Sequence, residues 1–390
     1  METPSVHKSP GRGRAVILGC VAFVTSFGAH VVAVNLPVYA RQVGIGLAMI
    51  GALIAVYDFA EVIAKPVFGL IADRAGLKRT MLLGIVVFCG ASLLFLVVDP
   101  KLLIVIRFLQ GVGAAALSIL SAALIASYYG ENRGEAYGIY NAIKGAGYVI
   151  SPVVGGAIVW ASSFRMIFVA SFAAGAIAFL LSLRLPSPAV QSPLEDDDDL
   201  SPRQFLSVFT ERALLPWYAI IVVNMFLVGI LFGFLPVYVH SLGYDQLHNG
   251  LIVGAATLSY LLIQPFAGRM ADRTDANRVV LVGLILSALG VLLIPFASGL
   301  LLVLIAIAGG LGVGAVWTNS DMMVSRLARQ RQIGAALGAA GSFKEIGDML
   351  GPLLIGVLAQ TFGLKVAFVS CGVAGLASIA LLRTARSRAV

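Results

Sequence analysis

Long apolar stretches recur along the chain and are separated by short polar segments. A helix needs about 20 mostly apolar residues to cross roughly 30 Å of hydrocarbon, and the stretches meet that length. The pattern therefore predicts an all-α membrane protein with twelve transmembrane helices. The predicted spans lie near 15–40, 46–72, 80–98, 102–129, 134–159, 164–183, 213–239, 248–270, 279–297, 300–324, 333–360 and 364–382.

Composition supports a lipid environment for these helices. Hydrophobic residues make up 59% of the chain and charged residues 12%, with a mean hydropathy of +0.96, whereas soluble domains are roughly half apolar and a quarter charged. The first span is too long and too rich in polar residues for a cleaved signal peptide. Cys20, Cys89 and Cys371 lie inside predicted spans without metal-ligand spacing, so we expect buried thiols, no disulfide and no metal site.

The basic residues predict the orientation in the membrane. With both termini in the cytoplasm, 19 of the 27 Lys and Arg residues fall in cytoplasmic segments and four in outer loops. Cytoplasmic loops of membrane proteins carry such an excess of basic residues. The net charge of +8 thus reflects topology, and no nucleic-acid partner is indicated.

The chain divides into two related halves, residues 1–184 and 213–390, joined by a polar cytoplasmic linker at 185–212. Residues 49–84 align without gaps on 248–283, and Gly, Pro and charged positions of 134–152 recur at 334–352. Matches at such positions cannot come from shared apolar composition. Six spans, a loop and six similar spans form a parallel repeat, which predicts a binding site between the halves near the midplane. The linker contains the acidic run Glu195–Asp199, whose role the sequence leaves open.

Two motifs carry a family resemblance. The loop after the second span reads Gly69-Leu-Ile-Ala-Asp73-Arg74-Ala-Gly76-Leu-Lys78-Arg79, and the fourth span contains Arg107-Phe-Leu-Gln110-Gly111. Both are similar to motifs of the major facilitator superfamily, although Leu77 replaces one of the paired basic residues of the loop motif. The resemblance implies two pseudo-symmetric six-helix bundles, a role for Arg107 in proton coupling, and a gating contact of Asp73 with the start of the eleventh span that holds the outward-open state.

A third motif lies on the fifth span, at Gly138, Gly147, Pro152, Gly155 and Gly156. It resembles the antiporter motif of proton-coupled drug exporters, with Ser151 where that motif has Gly. Small residues let helix backbones approach closely, and Pro152 removes a backbone donor; generic helix packing would explain the same pattern. The resemblance implies a monomeric exporter in a bacterial inner membrane, driven by the proton gradient without a cofactor.

Ionisable residues inside the membrane cost at least about 2.5–3.5 kcal/mol each on insertion scales, so they indicate function. Leaving aside residues at the span ends, such as Glu135 and Arg269, the predicted spans contain nine: Asp58, Glu61, Lys65, Arg107, Lys144, Asp321, Lys344, Glu345 and Asp348. Asp58, Glu61 and Lys65 share one helix face. We assign proton coupling to Asp58, Glu61 and Arg107, and the substrate cavity to the other six with His30 and Asn35.

Glu61 and Lys344 lie at similar depths, roughly 16 Å from the cytoplasmic helix ends. In the family fold the second and eleventh spans are neighbours, so we expect Glu61 or Asp58 to pair with Lys344 in one conformation. A carboxylate released from that pair in the other conformation would take up a proton. A purely structural ion pair is the alternative, and a single His such as His30 is usually a packing residue.

These observations predict a proton-coupled efflux antiporter of small amphipathic or drug-like molecules, working by alternating access. A symporter or uniporter for a polar metabolite, amphiphile or metal complex remains an alternative, as does a membrane sensor or assembly partner that moves nothing. No nucleophile, metal cluster or phosphate-binding loop indicates an enzyme. Five acidic and four basic residues within the spans leave the charge of the substrate open.

Overall fold

The computed structural model describes residues 12–129, 133–187, 207–329 and 332–379. Most of the predicted linker, including the acidic run, lies outside these residues. The described chain forms twelve helices across the predicted spans. They are α1 (Gly13–Gln42), α2 (Leu47–Ala75), α3 (Leu77–Val97), α4 (Leu103–Tyr129), α5 (Arg133–Ala161), α6 (Arg165–Leu183), α7 (Leu215–Ser241), α8 (Gln246–Arg273), α9 (Ala276–Leu293), α10 (Gly299–Leu327), α11 (Ile333–Phe362) and α12 (Leu364–Ala377).

Ten of these helices are long and apolar enough to cross a membrane. The other two are α11, which carries Lys344, Glu345 and Asp348, and α12, which is 14 residues long in the described part. Large apolar side chains such as Val97 and Leu300 remain exposed on the outer surface, 81% and 74% respectively, as expected for surfaces that contact lipid. The prediction of an all-helical membrane protein is confirmed, with twelve helices in the described part of the chain.

Helix packing reproduces the internal repeat. In the first half α1 packs on α5, α2 on α4 and α3 on α6; in the second half α7 packs on α11, α8 on α10 and α9 on α12. The two six-helix bundles meet mainly along two seams, α2 with α11 and α5 with α8. These seams are symmetry counterparts, so the predicted pseudo-symmetric arrangement is confirmed.

Each seam contains the same close backbone contact. A Cβ atom on Gly51 of α2 would lie 2.2 Å from the carbonyl oxygen of Pro352 on α11, and a Cβ on Gly250 of α8 would lie 2.2 Å from that of Pro152 on α5. Only glycine allows an approach this close. We call these two contacts the glycine notches.

The notches lie toward one end of the molecule, where α1 ends. We call the end of the molecule where α6 ends and α7 begins the linker end. The end that contains the notches is called the opposite end. At the opposite end the Leu47 amide also donates to Gln360 Oε1 across the seam, at 2.7 Å. Toward the linker end, a Cβ on Gly138 or Gly338 would have no neighbour within 4 Å. The bundles therefore make their closest contacts at the opposite end in this conformation.

Candidate functional site

The α2–α11 seam holds an ion triad at mid-depth. Lys65 Nζ of α2 lies 2.8 Å from Glu61 Oε2, one helical turn away, and 2.7 Å from Glu345 Oε1 on α11. The Lys65 and Glu345 side chains are about a quarter exposed, 26% and 25%. Because Lys65 bonds a carboxylate on each bundle, it links the two halves directly.

The predicted pair of Glu61 or Asp58 with Lys344 is not formed in this conformation. Lys344 Nζ instead bonds Asp321 Oδ2 at 2.5 Å and lies 4.5 Å from the centre of the Trp317 ring, both on α10 of its own bundle. Neighbouring residues on a helix point about 100° apart, so Lys344 and Glu345 face different helices. Glu345 faces α2, and Lys344 faces α10.

Asp58 and Asp348 are the carboxylates of the seam that no described cation neutralises directly. The two interact electrostatically across the seam, and within the described part of the chain no salt bridge within 4 Å reaches either of them. Asp348 lies against α7, where a Cβ on Gly229 would be 3.0 Å from its Oδ1 atom. With the triad, these residues give the seam four carboxylates and one ammonium group.

Arg107 lies beside this seam, on α4, and is only 4% exposed. Its Nη1 donates to Gln110 Oε1 at 2.5 Å, and its guanidinium carbon lies 4.1 Å from the centre of the Tyr57 ring on α2. Its Nε has no hydrogen-bond partner among the described residues. The structure therefore surrounds this cation with neutral partners, while Asp58 and Glu61 act on it electrostatically.

The α5–α8 seam is mainly aromatic, and its charged group at mid-depth is Lys144. Lys144 Nζ lies 6.0 Å and 5.8 Å from the ring centres of Tyr140 and Tyr148. His30 of α1 packs edge-on against Tyr148, with ring centres 4.2 Å apart, and its Nδ1 contacts the Ser26 carbonyl oxygen. Tyr260 of α8 contacts Phe232 and Trp317, which extends the aromatic wall toward α7 and α10.

Equivalent positions in the two halves carry different side chains, which explains the difference between the two seams. The α8 positions equivalent to Asp58, Glu61 and Lys65 hold Thr257, Tyr260 and Gln264, and the α5 positions equivalent to Glu345 and Asp348 hold Gly145 and Tyr148. The carboxylates of the α2–α11 seam can therefore bind protons or a cationic group, and the aromatic residues of the α5–α8 seam can contact the rings of a bound molecule. The described carboxylates do not converge in a group of three that could hold a metal ion.

The region between the two seams is called the chamber below. Asn35 does not belong to it, contrary to the assignment from sequence. It is 1% exposed, its Nδ2 donates to the Val31 carbonyl, and a Cβ on Gly155 would lie 2.5 Å from that nitrogen. Asn35 therefore packs in the tight contact between α1 and α5.

The antiporter-type motif on α5 lines two different contacts. Gly147 and Gly155 face α1, where added Cβ atoms would meet the Phe23 carbonyl oxygen at 2.7 Å and the Asn35 amide, whereas Gly156 faces the Gln246 carbonyl oxygen of α8. Gly138 faces open space. Pro152 contributes its carbonyl to a glycine notch, so the motif joins α5 to its own bundle and to the other one.

The loop motif forms the turn between α2 and α3. Gly76 has a φ of +88°, a left-handed conformation that favours glycine, and its amide caps α2 by donating to Ala72. Lys78 Nζ donates to the carbonyls of Leu183 and Leu185 at the end of α6. Asp73 makes no hydrogen bond or ion pair with another described residue, so its expected contact with α11 is not formed in this conformation. No described hydrogen bond or ion pair shows what Gly69, Arg74 and Arg79 do.

Sequence reasoning missed several residues that surround the charges. Tyr57, Tyr148, Tyr260 and Trp317 contact or enclose them, but only ionisable residues were counted as costly inside the membrane. One signal was available, because Tyr148 lies four residues after Lys144 and so on the same helix face.

Known proteins share this architecture along nearly the whole chain. The multi-drug resistance efflux pump PmrA of Streptococcus pneumoniae is 24% identical over 355 residues, which cover 89% of each chain. The multidrug resistance protein MdtG of Serratia proteamaculans is 31% identical over 374 residues, covering 90% of this chain and 88% of its own. The crystal structure of the nucleoside transporter NupG superposes with a TM-score of 0.80 at 12% identity, over 96% of this chain and 98% of that one.

The sequence model of the Major Facilitator Superfamily matches residues 18–258 and 241–389. Proteins of this superfamily are membrane transporters for small molecules and are not enzymes, in agreement with the class predicted from sequence. Since the match spans far more than half of its length, the chain belongs to the Major Facilitator Superfamily.

Proposed function

We propose that this transporter exports small amphipathic organic molecules in exchange for protons. The observation that carries the proposal is the asymmetry of the chamber between the bundles. On the α2–α11 seam no described cation forms an ion pair with Asp58 or Asp348. Tyr148 and Tyr260 belong to the aromatic α5–α8 seam across from it. A molecule with an apolar ring system and a positive charge complements both seams.

Protons and such a cation would compete for the same carboxylates. An unpaired carboxylate in a site of low dielectric is stabilised by either a proton or a bound cation, but one carboxylate gains little from both together. Protons arriving from one side would displace the cargo, and cargo arriving from the other side would displace the protons. This competition is sufficient for exchange when the chamber opens to one side at a time.

The relatives support this direction of transport. PmrA and MdtG are named for multidrug resistance, and PmrA as an efflux pump, at 24% and 31% identity. The bias of basic residues favours an orientation in a bacterial inner membrane in which the linker end faces the cytoplasm. The conformation described above would then be closed toward the outside.

Import by symport is a second candidate, favoured by the density of charge in the chamber. Nine ionisable residues lie inside the predicted spans away from their ends, which is more than apolar cargo requires, and polar metabolites would use them. A nucleoside transporter shares the fold, although fold alone does not determine the substrate.

Reconstituted vesicles test the proposal directly. An acidic lumen should drive uptake of a lipophilic cationic dye, and Asp58→Asn or Asp348→Asn should abolish the effect of the pH gradient. Glu135→Gln is the control, because Glu135 pairs with Arg12 at the exposed linker end. Uptake driven only by an acidic exterior would establish symport instead. Absence of flux in either gradient, across a mixed set of compounds, would indicate a protein that transports nothing.

A further inference from the structure

The most unusual charge in the chamber is Arg107, a buried cation to which no carboxylate of the described residues is bonded. Its contacts are the Tyr57 ring at 4.1 Å and Gln110 at 2.5 Å, both neutral. A buried charge is costly unless it is paired, and a desolvated cation–π contact recovers only about 2 kcal/mol or somewhat more. A carboxylate partner would stabilise Arg107 further, and Asp58 follows Tyr57 directly in the chain.

The internal repeat shows that the fold does not require this arrangement. Gly111 of α4 crosses α2 so closely that a Cβ would lie 2.4 Å from the Tyr57 carbonyl oxygen. Its counterpart Gly310 of α10 crosses α8 in the same way, 2.3 Å from the Ala256 carbonyl oxygen. The backbone crossing is therefore present in both halves.

The side chains at the crossing differ completely between the halves. Tyr57, Asp58, Arg107 and Gln110 in the first half correspond to Ala256, Thr257, Ala306 and Gly309 in the second. The second half thus lacks the ring, the acid, the base and the amide together. Since an equivalent crossing forms without any of them, packing of the two helices does not explain why these four side chains occur together.

Other charged groups also surround Asp58 and Arg107. Glu61 lies on the same helix as Asp58, Glu345 and Asp348 face Asp58 from α11, and His30 of α1 is near enough to interact with Arg107 and with Lys144 of α5. Lys65 is already bonded to Glu61 and Glu345. Among these groups Arg107 is the cation that lacks a bonded acid and lies beside Asp58.

We propose that the Tyr57 ring holds the Arg107 guanidinium away from Asp58 while Asp58 is protonated, and releases it to Asp58 when the proton leaves. The proposal rests on the proton coupling proposed above. The neutral acid offers Arg107 no charge, so the ring is the better partner; the ionised acid offers an ion pair in a site of low dielectric. The proton passes to water in the open chamber, and the positive charge stays on Arg107 throughout. Tyr57 is thus a positioning residue that sets how readily Asp58 gives up its proton.

A matched pair of substitutions tests this role. Tyr57→Phe keeps the ring face and should leave the pH profile of transport unchanged. Tyr57→Leu removes it, so Arg107 should stay with Asp58 and favour the ionised acid. The midpoint of the pH profile should then move down by about one unit, which is a tenfold loss of proton affinity. In an Arg107→Gln background, Tyr57→Leu should cause no further downward shift.

The controls separate this inference from the proposed function. A wild-type protein that transports without any response to a pH gradient would overturn both. A coupled wild type in which Tyr57→Leu, at normal expression, keeps the wild-type midpoint would overturn the role of Tyr57 alone. So would a shift of equal size in Tyr57→Phe, because the phenyl ring retains the contact with the guanidinium.

Discussion

Lys65 of α2 and Glu345 of α11 bond each other across the boundary between the two bundles, with 2.7 Å between Nζ and Oε1. Lys65 also bonds Glu61 of its own helix at 2.8 Å, so one ammonium group stabilises two carboxylates. In a rocking mechanism the bundles move relative to each other along this boundary. The triad therefore contributes both to stability and to the preference for this conformation.

Replacing Lys65 should destabilise the protein, because Lys65→Met leaves Glu61 and Glu345 close together without a cation. Loss of one partner of a fully buried pair costs about 3–5 kcal/mol; partial exposure reduces our expectation to about 1–2 kcal/mol. Thermal unfolding in detergent measures the effect. Lys65→Arg should retain most of the stability, and the exchange Lys65→Glu with Glu345→Lys should recover part of it. Equal stability of Lys65→Met and wild type would contradict the role assigned to the triad.

Lys144 and Lys344 occupy equivalent positions, but only Lys344 bonds an acid. Lys344→Met should cost about 1–2 kcal/mol at this partial exposure, because Asp321 would lose its cation while its Oδ1 already lacks a partner in the described structure. Lys144→Met should cost less than about 1 kcal/mol, since its described neighbours are aromatic rings. Adding Asp321→Asn to Lys344→Met should recover most of the lost free energy of unfolding in the same assay. An equal cost at both lysines would show that the pair with Asp321 contributes nothing.

A methyl group in either glycine notch should force the bundles apart at the opposite end. Gly51→Ala and Gly250→Ala each place a Cβ where a carbonyl oxygen lies 2.2 Å away. Spin labels at Val43 and Leu242, one on each bundle, should report longer distances in both variants. Gly90→Ala is the control, because no atom lies within 4 Å of its added Cβ. Unchanged distances in the notch variants would mean that the seams adjust locally.

A substitution at Asp73 should affect the transport rate without affecting the stability of the protein. Since its carboxylate bonds no described residue in this conformation, Asp73→Asn should change the free energy of unfolding by less than about 0.5 kcal/mol. If Asp73 bonds the start of α11 in the other conformation, transport should slow several-fold. Its counterpart Asp272 bonds Arg326 at 2.9 Å within one bundle, so Asp272→Asn should leave the transport rate nearly unchanged. Similar rates for the two variants would argue against a gating role for Asp73.

The sequence predicted the fold well because its signals are local. Span lengths follow from bilayer thickness, and matches such as Gly51 with Gly250 revealed the repeat before any contact was known. The mid-depth meeting of α2 and α11 was also predicted correctly. The ion pairs of this conformation could not be read from the sequence, because Lys344 and Glu345 are neighbours whose directions depend on how α11 is rotated about its axis. That rotation is set by packing along the whole helix.

The contacts of uncharged residues were harder to predict. Asn35 was assigned to the chamber because a polar residue in a span suggests function, yet its amide bonds within α1 beside Gly155. Tyr57 was overlooked because an aromatic residue in a span needs no special explanation. Its importance depends on which residue of α4 crosses α2 at that point, and the sequence of α2 does not contain that information.

The two glycine notches are copies of each other on either side of a pseudo-two-fold axis. A single rotation of one bundle must therefore disengage Gly51 from Pro352 and Gly250 from Pro152 in the same movement. A molecule wedged into one notch would consequently keep both of them open, and an inhibitor that never enters the chamber could arrest the whole cycle from the opposite end.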